Sequence, residues 1–129
     1  MPFLFYVLMT WTTLERRPLI TQRIVAFLVE ILPGIARRHG ANLLEAGIVN
    51  DHVHVLLRLP SRYDLPRLAQ GLKGTTARMV NRERLADDSQ PFRWARGYDV
   101  RTVGLRGLND AREYLKGQLL RHPNKIPRP

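Results

Sequence analysis

The stretch Asp51-His52-Val53-His54-Val55-Leu56-Leu57 decides the architecture. A strand's period of two puts His52 and His54 on one face, while Val53, Val55, Leu57 and Leu59 line the other. Residues 42–49 form a second apolar segment just upstream. Asn50-Asp51 between the two tolerates turn conformations, so residues 42–49 and 52–59 are predicted to form a hairpin whose second strand carries the histidines. Two imidazoles so placed can grip one metal ion; two strand histidines on a half-exposed face are also structurally harmless.

Working outward, residues 3–13 are rich in aromatic and β-branched types and end at the charged turn Glu15-Arg16-Arg17-Pro18, which reads as a buried strand. Ile20, Ile24, Phe27, Leu28, Ile31 and Ile35 then recur at helical spacing, with Thr21 as a cap and Pro33-Gly34 predicted to kink or end the helix. Beyond the hairpin, Asp64 caps a second helix with Pro66 in its first turn. Leu65, Leu68, Ala69, Leu72, Thr76, Met79 and Val80 form its inward stripe, and Arg67, Lys73, Arg78 and Arg82 its other face. A loop at Asp87 to Pro91 leads to a strand over 98–104, and Asn109 caps a third helix reaching about Arg121. This order predicts an α+β, ferredoxin-like (RRM-like) antiparallel sheet with helices on one face, the histidines on the open face and a C-terminal helix carrying Tyr114.

The 129 residues fit one domain, 1–129, with 123–129 as an extended, proline-rich tail. Residues 61–129 hold 15 of the 21 basic residues but 7 of the 11 acidic ones, so +8 of the +10 net charge lies there. That asymmetry favours a polyanionic partner, nucleic acid ahead of an anionic membrane. With no cysteine, disulfide frameworks and thiolate metal sites are excluded, and any metal must take N or O ligands. The apolar run Phe3 to Trp11 has no basic leader or cleavage site and is too short to span a bilayer, so no membrane association and a cytoplasmic location are expected.

Tyr114 and Gln118 are four apart on the third helix and can point at one target. A Gln amide oxygen can complete a metal site already held by two imidazoles, leaving positions for water and a phosphate oxygen. The metal's Lewis acidity would then open phosphorus to attack by a Tyr114 phenolate, giving a phosphotyrosine link and a free hydroxyl. Without the histidines, Tyr114 reads as an amphipathic residue at the core edge and Gln118 as a solvated one. Gly117 inside the helix costs about 1 kcal/mol against Ala, which leaves close approach of a backbone or ligand, or chance, to account for it.

His52-Val53-His54 resembles the His-hydrophobe-His motif of the HUH endonucleases, and Tyr114 with Gln118 resembles the Tyr-x-x-x-Gln helix of their single-tyrosine transposases, the enzymes of insertion sequences that move as single-stranded DNA. The similarity takes in Thr12-Thr13 before Arg16-Arg17-Pro18, Asp51 to Leu57, Phe92 to Tyr98 and the final helix. It implies a transposase with Mg2+ or Mn2+ held by His52, His54 and Gln118, and Tyr114 as nucleophile. It also implies recognition of single-stranded DNA with hairpins at element ends, and a homodimer whose tyrosine helix can serve the partner's site. Two departures from the pattern stand out. Tyr6-Val7 replaces a Tyr-His pair that many relatives carry, and His122-Pro123 stands where two histidines are frequent. The Asn-Pro near position 118 of a related group, associated with repeated extragenic palindromes, is absent.

For the nucleic acid, Arg67, Lys73, Arg78 and Arg82 are candidate phosphate contacts and Trp94 and Tyr98 candidate stacking platforms. For each basic residue a solvated face is the stronger reading, and a core position accounts equally for Trp94. His39, after Arg37-Arg38, suits the negative end of the first helix. Competing readings are a non-catalytic nucleic-acid-binding module on the same scaffold, a relaxase or replication initiator, and a domesticated copy that binds hairpin DNA without transposing. No small-molecule cofactor is expected.

Overall fold

β1 (Phe5–Thr12) is a strand, as its composition predicts, but buried on one face only: Val7, Met9 and Trp11 are buried, while Leu8, Thr10 and Thr12 face the other side. A computed structural model describes residues 5–87 and 89–129, so the expected strand start at residues 3 and 4 and position 88 of the expected loop lie outside it. α1 (Gln22–Arg38) follows, then β2 (Asn42–Ile48), β3 (His52–Leu59), α2 (Leu65–Arg82), β4 (Asp99–Val103), α3 (Leu108–Lys116) and α4 (Gln118–Arg121). The four strands form one antiparallel sheet in the order β2-β3-β1-β4, which is the ferredoxin-like arrangement. Register places Thr10 opposite His54 and Thr12 opposite His52 on β1, and Gly47 opposite His54 on β2.

One face of this sheet carries the core. Val53, Val55, Leu57 and Leu59 of β3 and the inward residues of β1 pack under Ile24, Leu28, Leu32 and Ile35 of α1 and Leu68, Leu72 and Val80 of α2. Two of the three predicted caps form: Thr21 Oγ1 accepts from the Ile24 N–H at 3.4 Å, and Asp64 Oδ1 from the Arg67 N–H at 3.1 Å. The predicted hairpin turn is closed by the Val49 N–H donating to His52 O at 3.1 Å.

Several expectations change. Of the kink or end expected at Pro33-Gly34, the end does not occur, and α1 runs through Pro33 to Arg38. The ring removes one donor, to the carbonyl of Val29, and Val29 lies on the exposed side where water can take its place. The third helix is capped at Gly107 after a 3-10 turn, so Asn109 lies inside it, and Gly117 (φ −89°, ψ 10°) separates α3 from α4 instead of sitting within one helix. Finally, the second sheet face is only partly open, because α3 and α4 cover β2 and part of β3 and bury His52 and Leu56. Residues 123–129, expected as an extended tail, begin with a 3-10 turn (Pro123–Lys125) and are hydrogen-bonded back to the body. Among the described residues no helix is long and apolar enough to cross a membrane.

Candidate active site and nucleic-acid cleft

Strand alternation and β1–β3 pairing bring both histidines to the half-covered face. The two rings lie 4.9 Å apart, centroid to centroid. Asp51, buried beside them, is acceptor-only, so the 2.7 Å contact between His52 Nδ1 and Asp51 Oδ1 requires the imidazole to donate. In the tautomer protonated at Nδ1 alone, His52 presents its Nε2 lone pair to Gln118 Oε1, 3.4 Å away. Gln118 is nearly inaccessible, and its Nε2 donates to Tyr114 O at 3.3 Å, which aims the amide oxygen at the imidazole. Two acceptors facing each other in a buried place is an arrangement that a cation would satisfy. His54 Nδ1 shares a 2.7 Å hydrogen bond with Thr10 Oγ1, leaving its Nε2 as the free nitrogen. Among the described residues no cluster of three or more histidine, cysteine or carboxylate side chains suited to a metal is found, so the donor set stays two imidazoles and one amide oxygen. That set, with a carboxylate orienting one ring from behind, fits a divalent cation.

The electrostatics agree. Burial, followed by the neighbouring His52 and His122, lowers the His54 pKa from 6.5 to about 4, with Gln118 pulling weakly the other way. The ring is thus uncharged at neutral pH and keeps its lone pair. Burial pushes the Asp51 carboxyl up, but hydrogen bonds and charge from Lys125 and His52 outweigh it and hold the group below the ordinary aspartate value.

Tyr114 stands beside this pair, its ring 5.7 Å from that of His54. Arg121 folds back over it: the guanidinium lies 4.3 Å from the ring centroid, and Nη1 donates to Tyr114 O at 2.6 Å. A Cβ on Gly117 would lie 3.5 Å from Arg121 Nη1, ordinary contact, so the crossing does not itself require glycine there. Gly47 does more. A Cβ on it would come within 2.8 Å of Leu115 O and 2.9 Å of Gln118 Cγ, so its missing side chain lets the helices seat against β2.

A cleft of about 860 Å³ opens from Tyr114 and His54 across β1 and β4. Arg16, Arg96, Arg101 and Arg121 line it against Asp99 and Asp110, a cationic balance. Glu15 and Arg16 both take left-handed backbone conformations (φ 54° and 53°), an arrangement costing about 1–3 kcal/mol per residue, at the turn that places Arg16 on the wall. Tyr98, half exposed, also lines the cleft after Gly97 at φ 83°.

The structure therefore brings together His52, His54, Tyr114, Gln118 and Tyr98. Lys73 sits behind the wall, donating to Ala95 O (2.8 Å) and Gly97 O (2.7 Å), and burial lowers its pKa. Trp94 packs edge-on against Trp11 and Phe92 and donates Nε1–H to Thr76 Oγ1 at 2.9 Å, so much of its ring is committed to the core. Arg67, Arg78 and Arg82 lie on α2, across the sheet from the histidines, and do not line the cleft. Sequence reasoning missed Thr10, Gly47, Lys125 and the cleft arginines, and took Asp51 only as a turn residue. A glycine inside a strand pattern was a readable cue for Gly47, and Arg121 lies within two helical turns of Tyr114; Thr10 and Lys125 had none, because their partners are distant in sequence.

A family model described as "Transposase IS200 like" matches residues 3–118. The transposase for insertion sequence element IS200 of Salmonella typhimurium strain LT2 is 32% identical over 93 residues, covering 69% of this chain and 60% of the relative; that of Salmonella typhi gives the same figures. The chain thus spans less than two thirds of the length of these curated relatives. Among solved structures, a provisionally assigned transposase from Deinococcus radiodurans R1 superposes with a TM-score of 0.70 at 26% identity, covering 90% of this chain and 92% of the other. A REP-associated tyrosine transposase, solved bound to a REP hairpin, shares the fold with a TM-score of 0.68 at 11% identity, covering 92% of this chain and 68% of its own.

Proposed function

The chain belongs to the IS200-like transposase family, and from that premise we propose that it cuts and rejoins single-stranded DNA at insertion-sequence ends, with Tyr114 as nucleophile. The observation that carries the reading is the seating of Tyr114 5.7 Å from His54, with Gln118 beside His52, at the mouth of a cationic cleft. His52, His54 and Gln118 would hold Mg2+ or Mn2+. Such a cation, when bound, supplies Lewis acidity at a non-bridging phosphate oxygen.

The chain's own residues do the rest. Asp51 and Thr10 hold the two rings by their Nδ1 atoms. Arg121 and the other cleft arginines hold phosphates, and Tyr98 stacks on an unpaired base. The Tyr114 hydroxyl attacks phosphorus, giving its proton to solvent. The phosphorus–O3′ bond breaks, the departing 3′ oxygen takes up a proton, and the 5′ phosphate remains as a phosphotyrosine. Attack by a second 3′ hydroxyl reverses the step and joins new ends. The hairpin bound by the REP-associated relative supports a hairpin-bearing substrate here. Arg67, Arg78 and Arg82 would serve DNA that flanks or leaves the cleft, while Lys73, bonded to Ala95 O and Gly97 O, and Trp94, packed into the core, brace the cleft wall. A homodimer belongs to the same reading, and sedimentation at working concentration measures it.

The test is to mix the protein and Tyr114→Phe with end-labelled hairpin oligonucleotides from the flanks of its gene, with and without Mn2+, on denaturing gels. A metal-dependent covalent adduct, absent from the variant although binding persists, is expected. Cleavage by the Phe variant would sink the nucleophile assignment, and binding with no adduct from the unaltered protein would indicate a non-catalytic hairpin-binding relative.

A further inference from the structure

The carboxylate behind His52 is gripped at both oxygens. Oδ1 accepts from His52 Nδ1 at 2.7 Å, and Oδ2 accepts from Lys125 Nζ at 2.8 Å. Lys125 is 74 residues away in sequence, on the segment that follows α4. That segment is pinned independently of the lysine side chain: the Asn50 N–H donates to Lys125 O at 2.9 Å, the Gln22 N–H donates to Arg128 O at 2.7 Å, and Pro127 is buried. The backbone of Asp51 is fixed as well, its carbonyl accepting from the Thr13 N–H at 2.9 Å and from Thr13 Oγ1 at 3.2 Å.

We propose that Lys125 is a positioning residue for the cation site, holding the Asp51 carboxylate in the plane that turns His52 Nε2 toward Gln118. The inference rests on reading His52 as a cation ligand. Its physical basis is the accounting of acceptors. With Lys125 in place, both oxygens of a carboxylate only 6% exposed are satisfied, and the carboxylate has no reason to rotate. Without the ammonium, Oδ2 is a buried, unpaired acceptor, and the carboxylate must turn to find another donor, taking the imidazole's Nδ1 partner with it. The last segment of the chain thus acts on the site through two hydrogen bonds in series.

The experiment uses the full chain with 15N-labelled histidine. It measures Mn2+ affinity by electron paramagnetic resonance and the His52 tautomer by nitrogen chemical shifts, for the unaltered protein, Lys125→Met and Lys125→Arg. The unaltered protein should bind Mn2+ and show His52 protonated at Nδ1. Lys125→Met should keep a cooperative melt, lose about 10- to 100-fold in Mn2+ affinity, the usual scale for removing an outer partner of a ligand, and show mixed His52 tautomers. Lys125→Arg, which keeps a cation on Oδ2, should restore both. Lys125→Leu replaces the Met variant if that fails to fold. Mn2+ affinity and tautomer unchanged in the Met or Leu variant would overturn the role of Lys125. No Mn2+ binding by the unaltered protein would instead overturn the ligand reading, while the tautomer comparison would still decide whether Lys125 orients His52.

Discussion

His54 shows how much of the site is settled by the surroundings of a single ring. Thr10, His52, His122, Gln118 and Tyr114 face it; burial, then His52 and His122, bring its pKa to about 4 against 6.5 in an open chain, with Gln118 pulling the other way. The unfolded chain therefore binds a proton that the folded protein resists. With cation removed, stability contributed by neutral His54 is fully present above 6.5 and is lost as pH falls toward about 4. Melting temperatures across that window should fall, and His54→Gln should flatten this part of the profile. An unchanged slope in the variant would mean that other groups dominate. The sequence placed His54 on the right face; only the packing around it shows that the ring is neutral.

At the scale of elements, the decisive fit is between β2 and the α3–α4 pair. Gly47 pairs opposite His54, and the backbone of Leu115 and the Cγ of Gln118 occupy the space where its Cβ would be. Backbone does not yield as a flexible side-chain tip does, so Gly47→Ala should push both helices out by several tenths of an ångström. Cleavage should drop by roughly 10²-fold, the scale of a small misplacement near reacting atoms, with the fold retained. Gly104→Ala, with nothing within 4 Å of the new carbon, should behave as the unaltered protein. Gel assays beside melting curves would separate a displaced site from a weakened fold. The helix pattern alone suggested continuous helix across Gly117; the break there, with Arg121 laid back over Tyr114, depends on contacts with the sheet.

Across the whole molecule, the cleft gathers Arg16, Arg96, Arg101 and Arg121 against Asp99 and Asp110, a local cationic excess within a net charge of +10. If those four hold phosphates of a single strand, log affinity against log salt should have a slope of about −3, from about −0.7 per phosphate. Titrating a labelled single strand at several salt concentrations measures it. A slope near zero would remove the cleft from the binding surface, and a much steeper one would bring Arg67, Arg78 and Arg82 of α2 into contact with flanking DNA. By itself, the sequence determined the period-two strand that sets His52 beside His54, the caps at Thr21 and Asp64, the hairpin turn and the order of elements that makes this sheet. These depend on neighbours a few residues apart. Only the tertiary structure decided that Lys125 reaches Asp51, that Gly47 receives the helices, that Lys73 braces a loop and that the arginines converge, because each depends on which distant segments the shared core brings into contact.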